Sequence, residues 1–310
     1  MKSVGLRKWM GLAIPRCITL VALIVAVGSL SVGGRTWRNV DYVGDGIVGH
    51  QMDIHTPDTG AGPFPILVII YGSAWTADNG KGPIGQASAA VWCPLGFAIA
   101  SINHRSSGDV DYPAQIHDVK ASIRFLRANA STYDIDPDRI GISGGSSGGH
   151  LAALAGTSGG VGDYTIGDVT INLEGDLGGH TNTSSRVQAV LIMAASTDFL
   201  LKTACDPNTV TTPEENLIGG PLDENVELVG LANPVTYVDS EDPPFRIFHG
   251  AEDPVVPHCE SAALYAALKL ARVPVEYTLV SGAGHNDIAT VPSVGIEGVR
   301  FFRETLGQGS

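Results

Sequence analysis

Short apolar runs alternate with longer segments of helical spacing along most of this chain. Ile66 to Tyr71, Phe97 to Asn103, Arg139 to Ser143, Val187 to Ala194, Phe245 to Phe248 and Val275 to Val280 are the strand candidates. Several are unbroken apolar runs, as in strands covered on both faces of a parallel sheet. Between them, Ile116, Val119, Ile123 and Leu126 recur at the spacing of one helix face. Leu151 to Leu154 opens a second helix, Glu260 to Ala271 a third, and Ser293 to Leu306 a closing one. The alternation predicts crossover connections and an α/β fold: a mostly parallel central sheet flanked by helices on both faces. Val40 to Val43 and Gln51 to His55 predict a leading antiparallel pair.

Two stretches break the pattern. Residues 156–185 are rich in Gly, Thr, Asp and Ser, and residues 200–235 form a long, polar, loop-like segment. Long excursions on a compact scaffold serve as lids or binding loops. The second is expected to face a substrate; the first is equally readable as surface decoration. Residues 36–310 otherwise read as one domain without a low-complexity linker.

Composition sharpens this picture. Of 310 residues, 44% are hydrophobic and only 16% charged, enough for a sizeable core. Nineteen Lys and Arg against 32 Asp and Glu give a net charge of −13. Such a surface repels phosphate backbones, so no nucleic-acid partner is expected, and neutral small molecules or polysaccharides are favoured over acidic ones. At the N-terminus, Lys2, Arg7, Lys8 and Arg16 precede the uncharged run Cys17 to Leu30. That run is shorter than the ~20 residues a membrane span needs. Residues 1–30 therefore read as a secretory signal, cleaved near Gly28, or as an uncleaved anchor. Secretion or a periplasmic location follows, with membrane contact only through this segment. Processing would leave Cys93, Cys205 and Cys259, which allow at most one internal disulfide.

The central chemical signal is Gly141-Ile-Ser-Gly-Gly-Ser-Ser-Gly-Gly-His150. A nucleophile elbow needs a strand, a very tight turn and a helix, so that a serine hydroxyl projects at unfavourable backbone angles. Glycines two before and two after that serine remove side chains that would collide. Both Gly144-x-Ser146-x-Gly148 and Gly145-x-Ser147-x-Gly149 satisfy the spacing. Ser146 is preferred because it falls directly at the strand end, which leaves the Ser147 amide beside the developing oxyanion.

A serine hydroxyl needs a base. Of nine histidines, His285 lies in the glycine-rich loop Ser281-Gly-Ala-Gly-His-Asn286, beyond the strand candidate Val275 to Val280. His104, His150, His249 and His258 lie nearer strand or helix bodies and are assigned structural roles. The base needs a carboxylate to hold its tautomer. Asp253, in a turn punctuated by Pro254 and Pro257, is the candidate, with Glu252 as competitor. The order Ser, Asp, His is that of α/β-hydrolases. Tyr71-Gly-Ser-Ala-Trp75 follows the strand at Ile70, where a loop would supply backbone N–H groups to an oxyanion. Ser73 and Ala74 are the donors expected there, beside Ser147. Trp75 is either a wall that shortens an acyl pocket or core packing. No metal-ligand or dinucleotide motif is present in the sequence, and no cofactor is expected.

These residues resemble the acetyl esterase/lipase group of the α/β-hydrolase superfamily, close to hormone-sensitive-lipase-like and feruloyl-esterase-like carboxylesterases. The likeness runs from Val40 to the C-terminus. It rests on YGSAW, on SINHRSS from Ser101 to Ser107, on Tyr112 to Ala121, and on DPDRIGISGGSSGGHLAALAG. It continues through Asp242 to Asp253 and GAGHN. The resemblance implies an α/β-hydrolase fold with lid- or cap-like insertions. By position it assigns Ser146, Asp253 and His285 to the triad, and Ser73, Ala74 and Ser147 to the oxyanion hole. One departure stands out: where the family usually has His-Gly-Gly, this chain has Tyr71-Gly72-Ser73.

The function these features predict is hydrolysis of short-chain neutral carboxylic esters through an acyl-enzyme. A secreted peptidase on the same scaffold and a catalytically inactive binding protein are the alternatives.

Overall fold

The computed structural model describes residues 34–307; the N-terminal segment read as a signal or anchor lies outside them. In chain order the regular elements are β1 (Thr36–Asp41), β2 (Gln51–His55), β3 (Phe64–Ile70), α1 (Lys81–Trp92) and β4 (Ala98–Ile102). Then come α2 (Ala114–Ala128), α3 (Ala130–Tyr133), β5 (Ile135–Gly145), α4 (Ser147–Thr157), β6 (Asp163–Ile166) and β7 (Val169–Asn172). They are followed by β8 (Ala189–Met193), α5 (Phe199–Cys205), α6 (Thr212–Ile218) and α7 (Val226–Ala232). The chain closes with β9 (Phe245–Gly250), α8 (His258–Leu270), β10 (Val275–Val280) and α9 (Pro292–Leu306).

Eight strands form one sheet in the order β1-β2-β4-β3-β5-β8-β9-β10. β1, β2 and β4 pair antiparallel, and every other neighbour pair is parallel. The leading pair is thus present, but β1 begins at Thr36 and ends at Asp41. Beyond it the Asp41 carboxylate accepts the amides of Val43, Gly44 and Gly46, which turns the chain away from the sheet.

Alternate residues of the apolar strands face opposite layers. On β3, Ile66, Val68 and Ile70 pack into one cluster with Ile116, Val119, Ile123 and Leu126 of α2. Leu67 and Ile69 pack into another with Phe302 and Leu306 of α9. Leaving β3, the chain pairs β4 on one side of it, then crosses to pair β5 on the other. The order therefore reverses between β3 and β5, and the space beyond the strand C-termini at such a switch point is the usual ligand position in open α/β sheets. β3 ends there at Ile70, beside the end of β5 at Gly144.

Both irregular stretches contain more structure than their composition suggests. Within 156–185, β6 and β7 form an antiparallel hairpin, turned at Gly167 with φ +56°. The segment 200–235 is not a loop: it carries α6 and α7 and most of α5. Its helices have local start and stop signals. Asp198 caps α5 by accepting the Leu201 amide, and α6 has acidic residues in its first turn and left-handed Gly219 (φ +88°) after its last. Cys205 at the end of α5 is disulfide-bonded to Cys259 in the first turn of α8, while Cys93 is free and buried.

Candidate active site

β5 runs without a loop into α4, and Ser146 is the single residue between them. Its backbone, at φ 55° and ψ −127°, lies where a side chain is strained. The Ser146 amide donates to Met193 O at 2.9 Å, and Ser146 O accepts the His150 amide at 3.0 Å. The glycines explain why so sharp a turn is possible. A Cβ at Gly144 would lie 2.3 Å from Gly148 O, and one at Gly148 would lie 2.4 Å from Ile70 O. Gly145, by contrast, has ordinary room, its nearest neighbour being Met193 O at 3.6 Å. Gly149 is also tight, with a Cβ there 2.8 Å from Ala195 Cβ, so both glycines that bracket Ser146 are sterically required but only one of the two that bracket Ser147.

His285 lies on the loop after β10, and Asp253 on the loop after β9. The Asp253 carboxylate accepts the His285 Nδ1–H at 2.7 Å, and the Ser146 hydroxyl donates to His285 Nε2 at 3.0 Å. An ionised carboxylate only accepts, which fixes the proton on Nδ1 and leaves Nε2 as the acceptor. The structure thus brings Ser146, His285 and Asp253 into one line. Glu252, the competing acid, has an exposed side chain.

Asp253 is held from several sides. Its Oδ1 accepts the amides of Val255 and Val256 at 2.8 and 2.9 Å, and its side chain is fully buried. Burial alone would raise its pKa. The His249 and His285 imidazoles and the two amides outweigh burial and hold the carboxyl well below the usual range. His249 has a place in the site that its sequence position does not announce. Its Nε2 lies 3.3 Å from Asp253 Oδ2 and donates to Val256 O at 2.9 Å, while its Nδ1 accepts the Ser261 hydroxyl at 2.7 Å. The signal available in the sequence is its spacing, four residues before Asp253.

The loop after β3 departs from the expected donor set. The Ser73 amide donates to Ser147 Oγ at 2.9 Å, so it points at that hydroxyl instead of an open oxyanion position. Ala74 and Ser147 keep amides without a partner among the described residues. Left-handed backbone falls on Ala74 (φ 53°) and Trp75 (φ 59°) and not on Ser73, so the serine standing where the family has glycine is sterically unburdened. Trp75 resolves to core packing. It is 2% exposed, lies edge-on to Phe199, and its indole N–H donates to His150 Nδ1 at 3.1 Å.

That bond, with His150 Nε2–H donating to Ala232 O at 2.9 Å, keeps His150 a neutral structural imidazole, pushed down to about 4 by burial. Tyr71, in place of the family histidine, stacks on His104 and donates its hydroxyl to Ala77 O at 2.9 Å. The SINHRSS segment braces the same loop: Ser106 Oγ donates to Thr76 O at 2.7 Å, and the Ser107 amide donates to Trp75 O at 2.9 Å. Arg105 is clamped in turn by Asp118, with Nη2 to Oδ1 at 2.7 Å.

Among the described residues no cluster of metal-ligating side chains occurs. One open cleft is lined in part by Asp253, and another begins at Thr76, two residues past Ala74. The first, of about 320 Å³, lies between the disulfide and the Asp253 loop, and the second, of about 580 Å³, lies between Thr76 and the end of α6.

A serine elbow at the switch point of such a sheet is the arrangement of the α/β-hydrolase esterases and lipases, the group to which this fold and its relatives assign the chain. More narrowly, the chain belongs to the BD-FAE family, whose model matches residues 52–268. It is 35% identical to Esterase LipQ of Mycobacterium tuberculosis over 224 residues, covering 71% of this chain and 50% of that protein. The chain thus spans about half the length of the curated relatives it matches. Among solved structures, a truncated carbohydrate esterase from gut microbiota superposes with a TM-score of 0.84 at 41% identity, covering 90% of this chain and 99% of that one. A bifunctional GH43-CE protein of Bacteroides eggerthii gives 0.82 at 42% identity, covering 88% of this chain and 38% of the other.

Proposed function

We propose that this protein hydrolyses short-chain esters of uncharged alcohols, carbohydrates above all, through an acyl-enzyme on Ser146. The observation that carries the reading is the line from Ser146 Oγ through His285 to Asp253, with both bonds at hydrogen-bond length. In the first step Ser146 Oγ attacks the ester carbonyl carbon and its proton passes to His285 Nε2. The imidazolium forms beside ionised Asp253, which stabilises it. The carbonyl oxygen becomes an oxyanion facing the amides of Ala74 and Ser147. His285 then returns the proton to the leaving alkoxide, the alcohol departs, and water repeats the sequence to release the acid.

The carbohydrate part of the proposal draws on the likeness to carbohydrate esterases at about 40% identity. Polar lining in the larger cleft also suits a hydroxylated alcohol better than a long acyl chain. The net charge of −13 favours uncharged substrates. The basic and then apolar N-terminal segment supports export, where such esters are met.

The test is hydrolysis of p-nitrophenyl esters from acetate to laurate by the purified protein. The expected result is turnover that is highest for acetate or butyrate and lost in Ser146→Ala. A preference for laurate contradicts the short-chain reading. Cleavage of a peptide amide in preference to esters turns the reading into that of a peptidase. No turnover of any ester by folded protein makes it a binding protein.

A further inference from the structure

We propose that the Thr76 hydroxyl is the catch of a strained turn that aims the Ala74 amide at the oxyanion; this rests on the esterase reading above and makes Thr76 a positioning residue. The turn runs from Ser73 to Thr76 and is closed by the Thr76 amide, which donates to Ser73 O at 3.1 Å. Its two central residues, Ala74 at φ 53° and Trp75 at φ 59°, are both left-handed. Positive φ at both central positions is the pattern of a type I′ turn, where Gly, Asn and Asp are the usual occupants. Alanine and tryptophan carry a Cβ that crowds the backbone there. Nothing in such a pair favours the turn on its own.

Left-handed backbone on ordinary residues persists only where the surroundings over-determine it. Here they do so from three sides. Within the loop, Thr76 Oγ1 donates to Ser73 O at 2.7 Å, the oxygen that also closes the turn, and Ser73 Oγ accepts the Ala77 amide at 3.3 Å. From α4, Ser147 Oγ accepts the Ser73 amide at 2.9 Å. From the segment after β4, Ser106 Oγ donates to Thr76 O and the Ser107 amide to Trp75 O. Trp75 is fixed besides by burial and by its indole bond to His150. Ala74 alone in the turn bonds to nothing among the described residues, which leaves its amide for the developing charge.

Thr76 joins two of these attachments, because Ser73 is held by its amide and hydroxyl and Ser106 by its carbonyl. Its side chain is exposed, so the hydroxyl satisfies no buried group and the methyl fills no core. What the hydroxyl does is shut the turn. Donors stabilise an oxyanion most when aimed before the charge appears. A turn free to relax has to be realigned in each turnover, which lowers kcat and leaves ground-state binding alone. Strain adds a signature that ordinary loop support lacks. Glycine at position 74 takes up positive φ without a Cβ to crowd, so the catch should matter less there.

The experiment is a double-mutant cycle of Thr76→Val and Ala74→Gly, with Thr76→Ser as the rescue. For each protein, kcat and KM on p-nitrophenyl acetate, the Ki of an aryl trifluoromethyl ketone and the melting temperature are measured. Ser146 Oγ bonds to the ketone carbon, the C=O electron pair moves to oxygen and the serine proton passes to His285, so Ki reads oxyanion stabilisation. Thr76→Val, close in shape and without the hydroxyl, should lower kcat roughly fivefold at unchanged KM and weaken the ketone by a similar factor, the size of one hydrogen bond. Thr76→Ser should restore most of both. Against the Ala74→Gly parent, the same valine substitution should cost less than about twofold. Should the valine variant not fold, Thr76→Ala takes its place in the cycle.

An unchanged kcat in Thr76→Val refutes the proposal, as does a loss carried by KM. An equal loss in both backgrounds, or one that follows melting temperature while ketone affinity stays constant, makes Thr76 ordinary loop support and refutes it too. Failure of the wild type to cleave p-nitrophenyl acetate is a different outcome, because it removes the esterase reading itself and this proposal with it.

Discussion

His249 Nε2 lies 3.3 Å from the Asp253 oxygen that accepts the His285 Nδ1–H. Two imidazoles therefore converge on one buried carboxylate. Only His285 also reaches the serine; His249 is held by Val256 O and the Ser261 hydroxyl. It acts as a positioning residue, keeping the acid oriented from behind.

Replacing it leaves Val256 O and Ser261 Oγ without their buried partner. His249→Leu is expected to cost about 1–3 kcal/mol of stability. It should lower kcat roughly tenfold at similar KM, as misplacement of an orienting group does. His249→Gln, which can still donate toward Val256, should recover part of both. Denaturant unfolding and steady-state kinetics on p-nitrophenyl acetate check this; an unchanged kcat in the leucine variant removes the positioning role.

The two adjacent serines make opposite predictions. Ser146→Ala should lower kcat on the order of 10⁴-fold or more, as loss of a triad nucleophile does. Ser147→Ala removes the acceptor that latches the Ser73 amide and with it the loop carrying Ala74. A drop in kcat of roughly tenfold is expected, short of the 10²–10³ typical of losing an oxyanion donor outright. Parallel turnover measurements separate them, and abolition only in the Ser147 variant would put the nucleophile in the other register.

Steric demand distinguishes the glycines. Gly148→Ala brings a Cβ against the carbonyls of Ile70 and Tyr71 at 2.4 and 2.6 Å, both backbone atoms that cannot step aside. Loss of at least about 1–3 kcal/mol is expected from such overpacking. Gly145→Ala meets nothing closer than 3.6 Å and should stay near wild type in melting temperature. Equal melting temperatures for the two variants would contradict the elbow geometry.

Glu260 predicts a pH dependence of stability. It is fully buried, accepts the amides of Thr197 and Asp198 through Oε2, and is pushed up to about 7 chiefly by burial. Its ordinary value is near 4.3. Between those values the folded state keeps a proton that the unfolded state has released, so stability falls as pH rises from about 4.3 to about 7, then levels off. The decline is on the order of 3 kcal/mol. Melting curves from pH 4.5 to 8 should show the gap between wild type and Glu260→Gln shifting in favour of the variant. A constant gap would contradict it.

The parts legible in the sequence are those where one local pattern meets one physical demand. Unbroken apolar runs such as Ile66 to Ile70 have no place but a sheet covered on both faces, and Gly144 and Gly148 around Ser146 have no other use than a turn without room. Segment 200–235 was obscured by its polarity. Its helices are only about two turns long and exposed on one side, so the caps at Asp198 and Gly219 carry more information than hydrophobic period does. α1 is hidden for a related reason: its run of Gly, Ala and Ser gives almost no apolar stripe. The Ser73–Ser147 bond lies beyond local pattern altogether, and the His249–Asp253 contact shows in the sequence only as a spacing of four residues. The first joins residues 74 apart, and the second depends on how the loop after β9 curls back on its own strand.

The most direct measurement is the site of covalent capture. The folded protein would be incubated with a p-nitrophenyl alkylphosphonate, its mass determined, and the modified peptide sequenced. One phosphonyl group on Ser146, with equal release of p-nitrophenol and parallel loss of esterase activity, is the expected result. Modification of Ser147, or full activity loss with Ser146 unmodified, would contradict an acyl-enzyme built on the elbow serine.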